Sequence, residues 1–501
     1  MHRLKISAPL FLAALTLTGC ATSALDMAPP RPDAPWPPSA SATTTPPTGG
    51  GYVLPPNPAL AATPPPPPID PNRAYALAGL IDIAESNNPQ TRIAWDAARQ
   101  AALAAGIAES LYLPNITASA LGAYQDDSSH QSLAGFSGNG NNQAHGVISA
   151  ISLNWLLFDF GERSAVITAA KQGSVISNIA FTQAHQLVIY NVSLAYYAYA
   201  AARARDVSAK QSLSNAQDVL AAAQARQLHG IGTVVDTAQA GQAVAQAKFA
   251  VVQADGGVQD AYLALLNAMG ISPLTQMKIA DLAPRTLSPA LDTPVQTIVA
   301  QALAQRPDMQ SAFAAQQQSL ANIKAAQAEF MPKVFVSATG SYNSGALDVT
   351  SVPGVGQQAA TGNLSGNHLG GIIMAGITVP LYDGGTRAAV LAQARASADS
   401  ANAALALARD EATRQVVDSQ NKLATSLAGY SATQALVAAA QTSYDAALAA
   451  YRNGVGSVTD ATLAQTQLLQ ARNTQSDAYS AALSAAATLA FTTGALGAAP
   501  P

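Results

Sequence analysis

The chain has 501 residues, a net charge of -4 and only 11% charged residues, against about 25% in an ordinary soluble domain. That balance excludes a nucleic-acid surface, which needs a strongly basic face. A single cysteine, Cys20, excludes an internal disulfide.

Met1-His-Arg-Leu-Lys5 is followed by the apolar run Ile6 to Leu17 and then Leu17-Thr-Gly-Cys20. A basic head, a short apolar stretch and small residues describe an export signal, too short to span as a mature helix. Leu-Thr-Gly-Cys resembles the lipobox of bacterial lipoproteins, which implies a covalent lipid, palmitate included, on Cys20. Ala21 at the next position implies, by the same resemblance, sorting to the outer membrane. Between Pro29 and Pro71 stand 17 of the 30 prolines. Such a stretch forms neither helix nor central strand and reads as an extended tether.

The rest of the chain states one plan twice. Asn88-Pro89 through Tyr124 returns as Arg306-Pro307 through Tyr342, at an offset of 218. Six residues are then gained, and the offset stays at 224 from Asp159/Asp383 to Gly270/Gly494. A period this long means a duplicated unit of several elements, not a solenoid. The boundaries that follow are a signal at 1–19, a tether at 20–73, repeats at 74–285 and 286–497, and a tail at 498–501.

In chain order, apolar spacing predicts helices over Tyr75–Ser86 and Pro89–Leu111, with Pro89 at a first turn. Pro114 ends the second helix and opens an alternating strand, Asn115–Gln125, which places Ile116, Ala118, Ala120, Gly122 and Tyr124 on one face. A polar loop, Asp126–Gly146, precedes a second strand with Val147, Ser149, Ile151, Leu153, Trp155 and Leu157 on one side. The second repeat predicts strands at Lys333–Asn343 and Gly371–Tyr382 around a loop, Ser344–Gly370. Each strand is close to the ~9–11 residues that cross a bilayer at a tilt. Trp155, Phe158, Phe160 and Tyr382 stand where strand gives way to helix, as in an interfacial girdle.

From Gly161 to Leu228 there is no proline, and the helical run is on the order of 100 Å long. Its return, Val234–Met269, is shorter, and with Pro89–Leu111 stacked end to end it would match the long helix. Arg387–Arg452 and Val458–Thr493 repeat the pair. Four membrane-length strands cannot close a barrel, and an open edge is forbidden in lipid. The chain must therefore assemble, and three copies supply twelve strands, a permitted barrel size.

Tyr444-Asp-Ala-Ala-Leu-Ala-Ala-Tyr451-Arg-Asn-Gly454-Val-Gly456-Ser-Val-Thr-Asp460 resembles the TolC family of outer-membrane factors. Leu-Tyr-Asp383-Gly-Gly385-Thr-Arg387 and Leu-Phe-Asp159-Phe-Gly161-Glu-Arg163 carry the same likeness, which covers about Tyr75 to Gly497. Arg306-Pro307-Asp308 and the lipobox resemble the lipoprotein branch that serves resistance-nodulation-division pumps. The resemblance implies a mainly α fold with a membrane β-barrel portion: a homotrimeric, twelve-stranded barrel continued by a periplasmic α-helical barrel. It implies a passive exit duct for drugs or other small molecules in a tripartite efflux system, working with a periplasmic adaptor and an inner-membrane pump. The adaptor-docking tips would be Gly230, Ile231, Gly232 and Thr233, and Gly454, Val455, Gly456 and Ser457. Asp460, and less closely Asp236, match the acidic ring of the periplasmic gate. A second acid found in the related pattern is replaced here by Leu463 and Gln239, which thins the gate. The competing reading of both carboxylates is a helix cap.

Arg163 and Arg387 are expected to pair with Asp159 and Asp383 across the strand-to-helix turn, a structural role. The six histidines have no metal-ligand spacing, with His130, His145 and His368 in the expected outer loops and His229 at a tip. No nucleophile elbow or phosphate loop is present, so neither enzymatic activity nor a cofactor is expected beyond the lipid. Two other readings stand beside efflux: the duct of a type I protein-secretion system, and a lipid-anchored periplasmic coiled-coil scaffold without a pore.

Overall fold

The computed structural model describes residues 58–61, 69–133, 136–282, 287, 294–345 and 369–496. The chain divides into two units, Met1–Pro66 and Pro67–Pro501. Within the first, only a 3-10 turn at Pro58–Ala61 is described. The export signal, Cys20, most of the tether, His368 and most of the Ser344–Gly370 loop lie outside the described residues.

The second unit opens with β1 (Ala74–Tyr75), which takes Tyr75, expected as the first helical residue, and pairs in parallel with β4 (Lys278–Ile279). Helix α1 (Leu77–Asn87) follows, then α2 (Pro89–Glu109). Asn88 separates them because its side chain accepts from Gln90 N at 2.9 Å, while Pro89 occupies a first-turn position that needs no donor.

Strands β2 (Asn115–Leu133) and β3 (Phe136–Phe158) form one antiparallel hairpin. The polar run Asp126–Gly146, expected as a loop, is therefore mostly strand. His130 lies opposite Asn139 and His145 opposite Tyr124 in the continuing ladder. Backbone pairing is indifferent to side-chain polarity, so a Gly/Asn/Ser-rich stretch continues a hairpin that its apolar neighbours have already registered. Strands β5 (Lys333–Gly345) and β6 (Leu369–Thr378) complete a four-stranded antiparallel sheet in the order β2-β3-β5-β6. Strand β6 stops before the expected end at Tyr382, because Pro380 cannot donate to a ladder.

Long helices leave this sheet at both Asp-x-Gly turns. Helix α3 (Glu162–Leu228) and α4 (Val234–Met269) form the first hairpin. After α5 (Val295–Gln305) and α6 (Pro307–Ala328), helices α7 (Thr386–Arg452) and α8 (Val458–Thr492) form the second. Both long helices have 67 residues. Helix α3 packs against α2 and α6 near the sheet and against α4 and α8 further away.

The expected end-to-end stacking is present at both joints. Asn88 donates to Ala268 O at 3.3 Å, and Gly270 leaves α4 with a φ of +72°, where a side-chain carbon would lie 2.8 Å from Asn88. In the second copy Arg306 takes the place of Asn88 and donates to Thr492 O at 2.8 Å. It also pairs with Asp308 at 2.6 Å and bonds Gln415 at 2.8 Å. Burial pushes the Asp308 carboxyl up, but the hydrogen bonds and charge of Arg306 outweigh it and hold the group below its ordinary value.

The main core sits at the first joint. Leu80, Leu265, Leu266 and Met269 are fully enclosed there with Val188 and Val192. Each large side chain stabilises the joint by roughly 1.5–3 kcal/mol.

Candidate channel and docking sites

Cross-strand register decides what the sheet can do. Val147, Ser149, Ile151 and Leu153 of β3 stand opposite Gly122, Ala120, Ala118 and Ile116 on β2, and these four with Trp155 stand opposite Ser344, Tyr342, Gly340, Ala338 and Val336 on β5. The row continues on β6 through Leu369, Gly371, Ile373, Ala375 and Ile377. Directly opposed residues share a face, so this side is almost wholly apolar and free of charge. It is also exposed: Ile373 is 81% accessible. The alternate row is the more polar, with Thr117, Ser119, Ser152, Asn154, Ser337, Thr339 and Ser341 among apolar neighbours such as Ile148, Phe335, Ile372 and Met374. One side suits lipid and the other water. The outer edges of β2 and β6 have no partner strand within the described chain.

At the sheet-to-helix end, Asp159 Oδ1 accepts from Gly161 N at 3.2 Å and Oδ2 from Arg163 N at 2.9 Å and Arg163 Nε at 2.8 Å. Arg163 also donates to the carbonyls of Leu111, Leu156 and Leu157, which ties the turn after α2 and the end of β3 to the start of α3. Asp383 makes the corresponding bonds to Gly385 N and Arg387 N and pairs with Arg387 at 3.0 Å. The expected structural pairings are present. Phe160 holds a φ of +52°, the left-handed backbone that Gly384 adopts in the second copy. Trp155, Phe158, Phe160 and Tyr382 are all exposed around this level.

At the opposite end, both tips are glycine turns. Gly230 has a φ of +72°, and Ile231 N and Gly232 N both donate to Arg226 O at 3.0 Å. A side-chain carbon on Gly232 would lie 2.8 Å from Gln227 N. The second tip repeats this with Gly454 at +83° and with Val455 N and Gly456 N on Ala450 O. Ile231 and Val455 point outward, 66% and 83% exposed.

The two gate candidates are cap residues. Asp236 N donates to Thr233 Oγ1 at 3.1 Å, and Asp236 Oδ2 accepts from Thr233 N at 3.0 Å, a complete capping box. Asp460 N donates to Ser457 Oγ at 3.1 Å, and that hydroxyl donates back to Asp460 Oδ2 at 2.7 Å. Each carboxylate is thus oriented by the start of its own helix. Leu463, one turn on from Asp460, is exposed.

Sequence reasoning missed the residue that joins the tips. Arg226 Nη1 donates to Tyr451 O at 2.6 Å, Nη2 to Ile231 O at 3.3 Å, and the guanidinium lies 4.9 Å from the centre of the buried Tyr451 ring. Burial raises the Tyr451 phenol, with Asp236 adding to the effect and Arg226 opposing it. Tyr444, deeper in the same cluster, is pushed up to about 12, chiefly by burial. The available signal was an arginine in the last turn of α3 facing a tyrosine near the end of α7, a pairing only the tertiary fold creates. Beside it lies a cleft of about 330 Å³, lined by Asp218, Ala222, Arg226, His229, Ile231 and Arg452.

Among the described residues no helix is long and apolar enough to cross a membrane, and no three His, Cys, Asp or Glu side chains converge as metal ligands. An amphipathic membrane sheet continued by paired helical hairpins defines a channel protein with a barrel portion and a helical portion.

Comparison with known proteins agrees. The family model described as outer membrane efflux protein matches residues 80–271 and 298–495. The chain belongs to that family. It is similar to protein CyaE of Bordetella pertussis, 27% identical over 399 residues, which is 79% of each protein. It is also similar to outer membrane protein OprJ of Pseudomonas aeruginosa, 26% identical over 59% of each. Among solved structures, a membrane protein from Pseudomonas aeruginosa superimposes with a TM-score of 0.69 at 24% identity, over 83% of this chain and 93% of that one. A second, of CusC, gives a TM-score of 0.68 at 22% identity, over 83% and 92%. The two-part family match follows the internal repeat. The protein is an outer-membrane efflux channel whose helical hairpins extend into the periplasm.

Proposed function

We propose that three copies close the four-stranded sheets into one twelve-stranded barrel, and that the helical hairpins continue it as a passive exit duct of a tripartite efflux system. The observation that carries this is the sheet itself: an apolar exposed face, a more polar opposite face, and two edges that lipid does not tolerate unpaired. The duct does no chemistry and holds no cofactor; energy comes from an inner-membrane pump. The lipid on Cys20 anchors the chain in the outer membrane ahead of the proline tether.

The tips, Gly230–Thr233 and Gly454–Ser457, receive a periplasmic adaptor. Their glycines expose backbone, and Ile231 and Val455 add apolar contact. Asp460 and Asp236 contribute negative charge to the closed entrance, while Leu463 adds an apolar constriction. The carboxylate oxygens left free by the caps are available to passing cations.

The test is a photo-crosslink from Ser457 in living cells. Capture of an adaptor from a resistance-nodulation-division system is the expected outcome. Capture of an adaptor from an ABC secretion system would transfer the same architecture to protein secretion. No capture, in cells where the assembled protein is present, would remove the tips as the docking surface.

A further inference from the structure

A cavity of about 440 Å³ opens half-way along α3, a size at which small-molecule sites occur. Its walls come from four separate segments: Tyr197, Tyr199 and Arg203 of α3, Tyr430 of α7, Tyr479 of α8, and Asp281 just after β4. All four tyrosines are half-buried. The rings of Tyr430 and Tyr479 lie with centres 5.1 Å apart and planes tilted by 47°. At the rim Arg203 pairs with Asp281 at 2.6 Å, and Gln475 of α8 adds an amide.

The frame around the cavity is fixed by hydrogen bonds that do not use its lining groups. Ala280 N donates to Tyr75 O at 2.9 Å, and Ala280 O accepts from the Tyr196 hydroxyl at 3.2 Å. Together they hold the segment that carries Asp281. Across the cavity Ser480 Oγ donates to Tyr197 O at 3.0 Å, which sets α8 against α3. The site is complete within one copy of the chain.

The internal repeat shows what helix packing alone requires here. At the offset of 224, Tyr199 and Arg203 become Leu423 and Leu427. Both leucines are buried, in a cluster with Ala482 and Ala485 that Leu287 and Leu489 help to cover. In the other direction Tyr430 and Tyr479 become Asp206 and Asp255. The second repeat therefore fills this place on its long helix with leucine, and packing does not by itself call for a tyrosine and an arginine. The aromatic set with its ion pair occurs in one repeat and not in the other.

The lining also limits what can bind. Asp281 cancels the charge of Arg203, so the cavity offers net attraction to neither an anion nor a cation. A wholly apolar guest would strip water from the phenols, Gln475 and the ion pair and return no hydrogen bonds, which is costly. Burial raises the Tyr199 phenol, with Arg203 opposing, so its hydroxyl is kept as a donor. The guest that satisfies these limits is uncharged, with flat apolar faces for the rings and a rim of hydroxyls for the polar groups.

We propose that this cavity binds a neutral pyranose sugar, free or as one unit of a glycan strand. The tyrosine rings pack on its C–H faces, and Arg203, Asp281 and Gln475 bond its hydroxyls.

The experiment titrates purified full-length protein, in a detergent without sugar groups, with chitotriose and separately with maltotriose. Saturation transfer from the protein to the sugar C–H protons is followed by NMR. Saturable transfer to at least one of the two sugars is expected. Y199L/R203L installs the residues that the second repeat already carries. It should weaken binding by about tenfold or more, through loss of a ring contact and a charged hydrogen bond, while the assembly keeps its heat resistance. Y430F/Y479F keeps both rings and should weaken binding several-fold; it serves as the test if Y199L/R203L does not assemble. No saturable transfer to either sugar would overturn the proposal. Undiminished binding by the variants would overturn the assignment to this cavity. Sedimentation with isolated cell-wall sacculi separates the two sources. Sedimentation of the parent but not of Y199L/R203L identifies a glycan strand, and saturable transfer without sedimentation identifies a free sugar.

Discussion

At single residues, the tips show how little freedom the turn allows. Gly232 is needed for space, because an added carbon would lie 2.8 Å from Gln227 N, and Gly456 is less crowded, with 3.0 Å to Ala450 Cβ and 3.1 Å to Tyr451 N. Gly232→Ala should destabilise its tip by about 1–3 kcal/mol, and Gly456→Ala by less. Hydrogen exchange in the last turn of α3 checks this; unchanged protection in G232A would mean the turn relaxes freely. Asp460 poses a different question, since its carboxylate serves a cap and is proposed to serve a gate. Asp460→Asn retains an oxygen for the Ser457 hydroxyl and removes the charge. Single-channel cation preference should fall several-fold while exchange protection at the start of α8 stays close to the parent's. If the preference does not move, Asp460 is a cap alone.

For whole elements, alternation along the strands separates a lipid face from a water face, and substitutions should respect it. Ile373→Arg places a charge on the exposed apolar row and should cost about 2–4 kcal/mol near the bilayer midplane. Ser337→Arg, on the opposite row of β5, should assemble normally and shift ion selectivity. Heat resistance of the assembly in detergent, measured beside single-channel selectivity, distinguishes the two; equal loss of assembly would mean the faces are misassigned. The joint between α6 and α8 carries a pH dependence of known sign. Asp308 has a depressed carboxyl pKa in the folded chain, so its contribution is present above the ordinary carboxylate range, near pH 4. It is lost as pH falls through the lowered value. Acid should therefore loosen this joint, and Asp308→Asn should remove that part of the acid response. An identical acid profile in D308N, followed by exchange at the N-terminus of α6, would exclude Asp308 as its source.

On the scale of the molecule, the architecture follows from one strand pair and one helix pair made twice. Hydrophobic alternation, proline-free runs and the constant offsets of 218 and 224 were enough to place both hairpins of strands and all four long helices. Glycine spacing was enough to place both turns, because φ near +70° to +90° and backbone crowding leave few other residues possible. These are local properties, set by neighbours within a few positions, and they were legible without a structure. The full length of β2 and β3 was not, since ladder hydrogen bonds form between backbones and leave no mark in a polar sequence. Nor was the Arg226–Tyr451 staple, which joins residues 225 positions apart. Only the packing of α8 on α3 showed which residues face each other, because such contacts depend on how distant segments meet and not on what stands beside them in the chain.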